Sequence, residues 1–145
     1  MMAKRRKKTQ HEFTAALRME GAKLDVDALV KALGRKPDNS HRIGDPKRAQ
    51  EKWADSMCSF DSKLPRKATL EDQLKSLLDE FEPRKKTIAK FKRRGTTGYF
   101  WCGHFTDAYL GFCGVVGLSA PLLKRLGAFG FEVLIDTYAD TNFNS

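Results

Sequence analysis

The sequence predicts an α+β fold: a mostly antiparallel five-stranded sheet with helices packed on one face, in the order β-α-β-α-β-β-α-β. Three observations predict it. Apolar and polar residues alternate with period two near residues 12–20 and 99–105, as in strands with one buried face. Apolar residues recur at helical spacing after Asp25, Thr69 and Ser119, each a good N-cap. Gly and Pro separate these segments. The 145 residues are one domain's worth, and 41% hydrophobic with 31% charged residues is ordinary for a folded chain.

The elements follow in chain order. Phe13, Ala15, Leu17 and Met19 share one face of a first strand, against Thr14, Ala16 and Arg18, and Gly21 ends it. Asp25 caps a short helix with the stripe Val26, Leu29, Val30 and Leu33, stopped by Gly34. Residues 35–50 read as loop, with turn clusters at Pro37–Ser40 and Gly44-Asp45-Pro46. Gln50–Asp61 is a second strand of imperfect alternation, fit for a bulge or an edge. Thr69 opens a helix with Leu70, Leu74, Leu77, Leu78 and Phe81 on one face. Pro83 either kinks that helix or starts a fresh one, which Ile88 and Phe91 carry to Gly95. Tyr99, Trp101, Gly103 and Phe105 alternate against Phe100, Cys102 and His104. Residues 106–110 connect this strand to a return strand over Gly111–Leu118, a hairpin. Ser119 caps a last helix (Leu122, Leu123, Leu126), Gly127 ends it, and Phe131–Tyr138 is the final strand. The second half, β-β-α-β, is a piece of a ferredoxin-like unit.

Composition excludes several classes. The longest apolar stretches fall short of the ~20 residues of a membrane helix. The cysteines, Cys58, Cys102 and Cys113, are odd in number and lack framework spacing, which suits a reducing cytoplasm. Of the net charge of +9, more than half sits on Lys4, Arg5, Arg6, Lys7 and Lys8. We read residues 1–10 as a basic, flexible, solvated arm, followed by a single α+β domain over 11–145. No apolar run follows the arm, so it is not a secretory signal.

A set of spaced residues carries a resemblance. Gly44-Asp45-Pro46, Trp53, Ser62-Lys63-Leu64-Pro65, Leu70-Glu71-Asp72-Gln73-Leu74, Leu78 and Glu82-Pro83 form its first part. Gly111-Phe112 and Leu126-Gly127 through Ile135-Asp136-Thr137-Tyr138 form its second. Over residues 11–140 the chain resembles the small bacterial proteins grouped as domain of unknown function 4279. The resemblance implies a compact α+β domain standing alone in a bacterial cytoplasm. It implies no reaction, cofactor or catalytic residue, and it leaves the basic arm unexplained.

Three constellations bear chemistry. The loop His41-Arg42-Ile43-Gly44-Asp45-Pro46-Lys47-Arg48, leading to Trp53, is the preferred binding site. Its candidate residues are His41, Arg42, Asp45, Arg48 and Trp53, which join a titratable ring, two guanidiniums and a carboxylate on one fixed turn. The alternative for this loop is an ordinary connector. A polyanion site would use Lys4, Arg5, Arg6, Lys7 and Lys8 with Arg84, Lys85, Lys86, Arg93 and Arg94. The bland alternative is cations favoured near a helix C-terminus. Cys102, His104 and Cys113 are the nearest approach to a zinc site or a thiol nucleophile, with Asp107 or Asp136 as orienting acid. The fourth ligand is missing, so no metal, cofactor or catalytic residue is assigned. Gly111, Gly114 and Gly117 do not match a phosphate cradle. The expected function is a non-enzymatic binding module for a protein partner. Nucleic-acid association through the arm and residues 84–94 is the second reading, and an enzyme or metal protein the third.

Overall fold

The computed structural model describes residues 11–107 and 116–140. Five strands form one sheet: β1 (Glu12–Gly21), β2 (Asn39–His41), β3 (Ser56–Asp61), β4 (Thr97–Asp107) and β5 (Glu132–Asp140). Four α-helices are described: α1 (Val26–Leu33), α2 (Leu70–Phe81), α3 (Lys85–Arg93) and α4 (Ala120–Phe129). The strand order is β2-β3-β1-β4-β5. No helix among the described residues is long and apolar enough to cross a membrane.

The sheet is mixed, which corrects the mostly antiparallel expectation. β1 pairs antiparallel with both β3 and β4, and β2 with β3, but β5 runs parallel to β4. The physical reason is α4. A parallel neighbour needs a crossover that carries the chain back to the start of the sheet, and a helix supplies it. The neighbours of β4 are β1 on one side and β5 on the other. Residues 116–119 are irregular, and Gly111–Val115 lies outside the described residues. Among the described residues the second half is a βαβ unit, with β5 and not a hairpin strand on this edge of β4. β4 also runs on to Asp107, into the first two residues of the expected connection.

Local corrections have local causes. The strand expected from Gln50 starts at Ser56, because residues 42–54 close their own loop through a Pro46–Lys52 bridge. The predicted turn at Pro37–Ser40 instead yields β2, whose Asn39 stands opposite Ser59. α4 runs past Gly127 to a left-handed cap at Gly130, φ 82°. Pro83 splits its helix: α2 ends at Phe81, a 3-10 turn spans Glu82–Arg84, and α3 starts afresh.

Other elements match the sequence reading. Asp25 Oδ1 accepts from Ala28 N at 3.0 Å and Thr69 Oγ1 from Asp72 N at 3.1 Å. Leu17 and Met19 of β1, Phe60 of β3 and Phe100 of β4 are buried under Leu29, Leu74, Leu78, Phe81 and Leu122 of the helices. The core thus lies on one face of the sheet. Gln73 is one of several buried polar residues, 1% exposed. Its Nε2 donates to Phe13 O at 2.5 Å and to Pro65 O at 3.3 Å, which satisfies the amide and pins α2 to β1.

Phe131 closes the core at its β5 end, edge-on to Phe129 with ring centroids 5.0 Å apart. Its ring fills the space a side chain at Gly98 would need: a Cβ there would stand 2.2 Å from Phe131 Cζ. Gly98→Ala is expected to lower unfolding free energy by about 1–3 kcal/mol, the usual cost of overpacking. Phe131→Leu should restore part of that loss in the double variant, read by urea unfolding; purely additive losses would contradict this packing.

Candidate functional site

The helices cover one face of the sheet, and no described helix covers the other. Strand alternation decides what it carries. β1 presents Thr14, Ala16 and Arg18 there, and β4 presents Tyr99, Trp101, Gly103 and Phe105, with Ala16 opposite Trp101 and Thr14 opposite Gly103. Ser59 and Asp61 of β3 stand opposite Arg18 and Ala16. Small residues therefore floor a groove between large ones. A Cβ at Gly103 would come within 2.6 Å of Thr14 Oγ1 and 2.9 Å of the Phe105 ring. The groove encloses about 420 Å³. The turn carrying Leu64 and Arg66 walls it, held to β1 by Phe13 N donating to Arg66 O and Ser62 N to Ala15 O, both at 2.8 Å.

Two of its aromatic rings are topped by cations. The Arg18 guanidinium lies 4.3 Å from the Trp101 ring centroid, and that of Arg66 lies 4.2 Å from Phe105. Trp101 Nε1 donates to Asp136 on β5 at 2.9 Å, which fixes the indole. Arg18 Nε donates to Ser59 Oγ at 3.3 Å, while Arg66 pairs with Glu12 at 3.0 Å. Burial, then the neighbouring Asp38, pushes the Asp61 carboxyl up, against the pull of Arg18 and Arg35.

The loop favoured by the sequence is closed by its own contacts and tied to α1 and β3. His41 and Trp53 stack with centroids 3.6 Å apart, and Lys47 Nζ lies 4.6 Å from the Trp53 ring. Asp45 Oδ2 accepts from Arg42 N at 2.7 Å, closing its own turn. Arg42 turns away to Asp27, also at 2.7 Å. Arg48 is exposed at the tip, where its carbonyl accepts from Glu51 N. The structure thus joins His41 with Trp53, while Arg42 and Asp45 serve local contacts and Arg48 stands apart.

The basic residues divide. Arg84, Lys85, Lys86, Arg93 and Arg94 are all exposed on or beside α3; Lys4, Arg5, Arg6, Lys7 and Lys8 lie outside the described residues, as does Cys113. Cys102 is buried in the core, and burial pushes its thiol up to about 12. Burial likewise raises Cys58 to about 11. In both cases the surroundings favour the protonated thiol, the opposite of what activates a cysteine nucleophile. Among the described residues no group of three His, Cys, Asp or Glu is placed to hold a metal.

His104 has a partner that the sequence does not reveal. Its Nε2 is 2.8 Å from His11 Nδ1, its Nδ1 is 3.3 Å from Thr137 Oγ1, and its ring stacks on Phe13. One imidazole donates and the other accepts, so the pair tolerates at most one added proton. The open-face groove is likewise absent from the sequence reading. The alternating triplet Thr14, Ala16, Arg18 beside Trp101, Gly103, Phe105 is its signal, but only strand register places the two rows side by side.

An α+β domain with a mixed five-stranded sheet, helices on one face and a grooved second face is the class these features define. The chain belongs to the family described as Domain of unknown function (DUF4279), whose model matches residues 11–140. No curated protein and no solved structure matches it significantly.

The histidine pair makes stability depend on pH. Burial, then the charge of His11, holds the His104 pKa below its ordinary 6.5. The unfolded chain therefore binds this proton at higher pH, and stability falls as the pH drops through the ordinary value. In urea unfolding at pH 7.5 and pH 5, the unmodified protein should lose more stability than His104→Phe, which keeps the stack on Phe13. Equal losses would contradict the coupling.

Proposed function

We propose that the protein is a non-enzymatic binding module that takes an extended segment of a protein partner along the free edge of β5. One observation carries this reading. Among the described residues β5 ends the sheet, pairs with β4 in unbroken register from Glu132 to Asp140, and exposes Leu134 (45%), Ile135 (42%) and Tyr138 (42%). Edge strands are normally shielded by shortness, bulges, Lys or Pro. β2, at the other end, spans three residues; β5 is long and lacks Lys, Pro and a bulge. An added strand would satisfy its outer backbone groups, and exposed side chains would supply specificity. Glu132, Asp136 and Asp140 are its only charged residues, so a partner strand bearing Lys or Arg fits best. The reading includes a bacterial cytoplasmic setting, in keeping with the free thiols of Cys58 and Cys102.

The test is affinity purification from the native host with the unmodified chain and with Leu134→Lys/Ile135→Lys. One protein should be retained stoichiometrically by the first and lost with the second. Equal recovery by both, or a concentration-dependent self-dimer abolished by the same changes, would overturn the partner reading.

A second reading, nucleic-acid association, rests on α3. Among the described residues, Arg84, Lys85, Lys86, Lys90, Arg93 and Arg94 have no carboxylate within ion-pair distance. Glu82, the acid beside them, pairs with Arg125. Six unpaired cations on one short stretch are suited to phosphate contacts. Duplex DNA binding should weaken steeply with salt. Lys86→Glu/Lys90→Glu/Arg93→Glu should flatten the log–log slope by about 0.9 for each phosphate no longer neutralised. An unchanged slope excludes α3, and equal affinity for two unrelated duplexes reduces the effect to nonspecific attraction.

A further inference from the structure

Arg18 stands apart from the other arginines. Arg35, Arg42, Arg66 and Arg125 each pair with a carboxylate. Arg48, Arg84, Arg93 and Arg94 are exposed to water. Among the described residues, Arg18 alone is partly buried with no carboxylate within ion-pair distance. A guanidinium partly withdrawn from water and in no direct ion pair is costly to hold, and Asp61 acts on Arg18 only at longer range. This one is nonetheless placed by two contacts, its face on Trp101 and its Nε on Ser59, and it lines the open-face groove.

We propose that the groove binds a small organic monocarboxylate with an apolar body, its carboxylate on the guanidinium of Arg18. The inference goes beyond the edge-strand reading and does not rest on it. The planar fork of Arg matches a carboxylate and is more weakly hydrated than an ammonium. Trp101, Phe105, Leu64 and Ala16 supply apolar walls and floor. The volume, about 420 Å³, lies in the range of small-molecule sites. Asp61 lines the same groove and disfavours a second negative charge, which selects a monocarboxylate over a phosphate. The other cation, Arg66, is already neutralised by Glu12.

The test is a ¹⁵N-HSQC titration of the full chain with sodium phenylacetate. The indole N–H of Trp101 reports on the groove, and that of Trp53, on the 42–54 loop, is the internal control. The Trp101 resonance should shift saturably while Trp53 stays in place. Arg18→Gln should weaken binding about tenfold or more, the scale of a lost charged hydrogen bond. Ala16→Leu, which fills the floor without touching charge, should abolish it. Phenethylamine and inorganic phosphate should each leave the Trp101 resonance unmoved. No saturable shift, undiminished binding by Arg18→Gln, or a matching response to the amine or to phosphate would overturn the proposal. The comparison among the three probes needs only the unmodified protein, so it decides the matter even if a variant fails to fold.

Discussion

The architecture depends on the two-sided pairing of β4. Antiparallel to β1 and parallel to β5, it is locked in register along both edges. That register sends Phe100 and Cys102 into the core and Trp101 and Phe105 to the opposite side. A slip of one residue would bury the indole that Asp136 holds and expose Phe100. Both the packing beneath the helices and the chemistry of the groove therefore follow from one set of backbone hydrogen bonds.

Long-range ties then fix the layers. Gln73 reaches from α2 to the backbone of β1 and of the turn before the helix. Glu71, two residues earlier, accepts from Ser119 N and so joins α2 to the start of α4. That hydrogen bond holds the Glu71 carboxyl below its ordinary range. These residues belong to the spaced set Leu70–Leu74 that carries the family resemblance. Their structural positions explain their types: an amide must satisfy several carbonyls, and a carboxylate must meet the amide of a cap.

Local chemistry is legible in the sequence. Asp25, Thr69 and Ser119 cap helices because their side chains reach amides three residues on. Pro83 is a point of decision in the sequence, and the 3-10 turn shows how the chain resolves it. Nonlocal geometry is not legible. Direction in a sheet depends on the length and path of connections, so the residues after Asp107 read as a hairpin although α4 makes a crossover. The preferred loop misleads for a related reason. His41, Arg42 and Asp45 have the composition of a binding site, but Asp27, Asp55 and the loop backbone already engage them. The groove is hidden because Arg18 and Trp101 are remote in sequence and meet only through register.

The parallel joining of β5 has a consequence for how the chain is made. Everything between Asp107 and Glu132 must turn back before β5 can dock, and such distant pairings form slowly. A nascent chain that stops short of Glu132 leaves the far side of β4 bare, the indole of Trp101 without its acceptor, and the cleft over Gly98 unplugged. Among the described strands β5 is the last to be made, so until it docks this side of β4 stays exposed to mispairing.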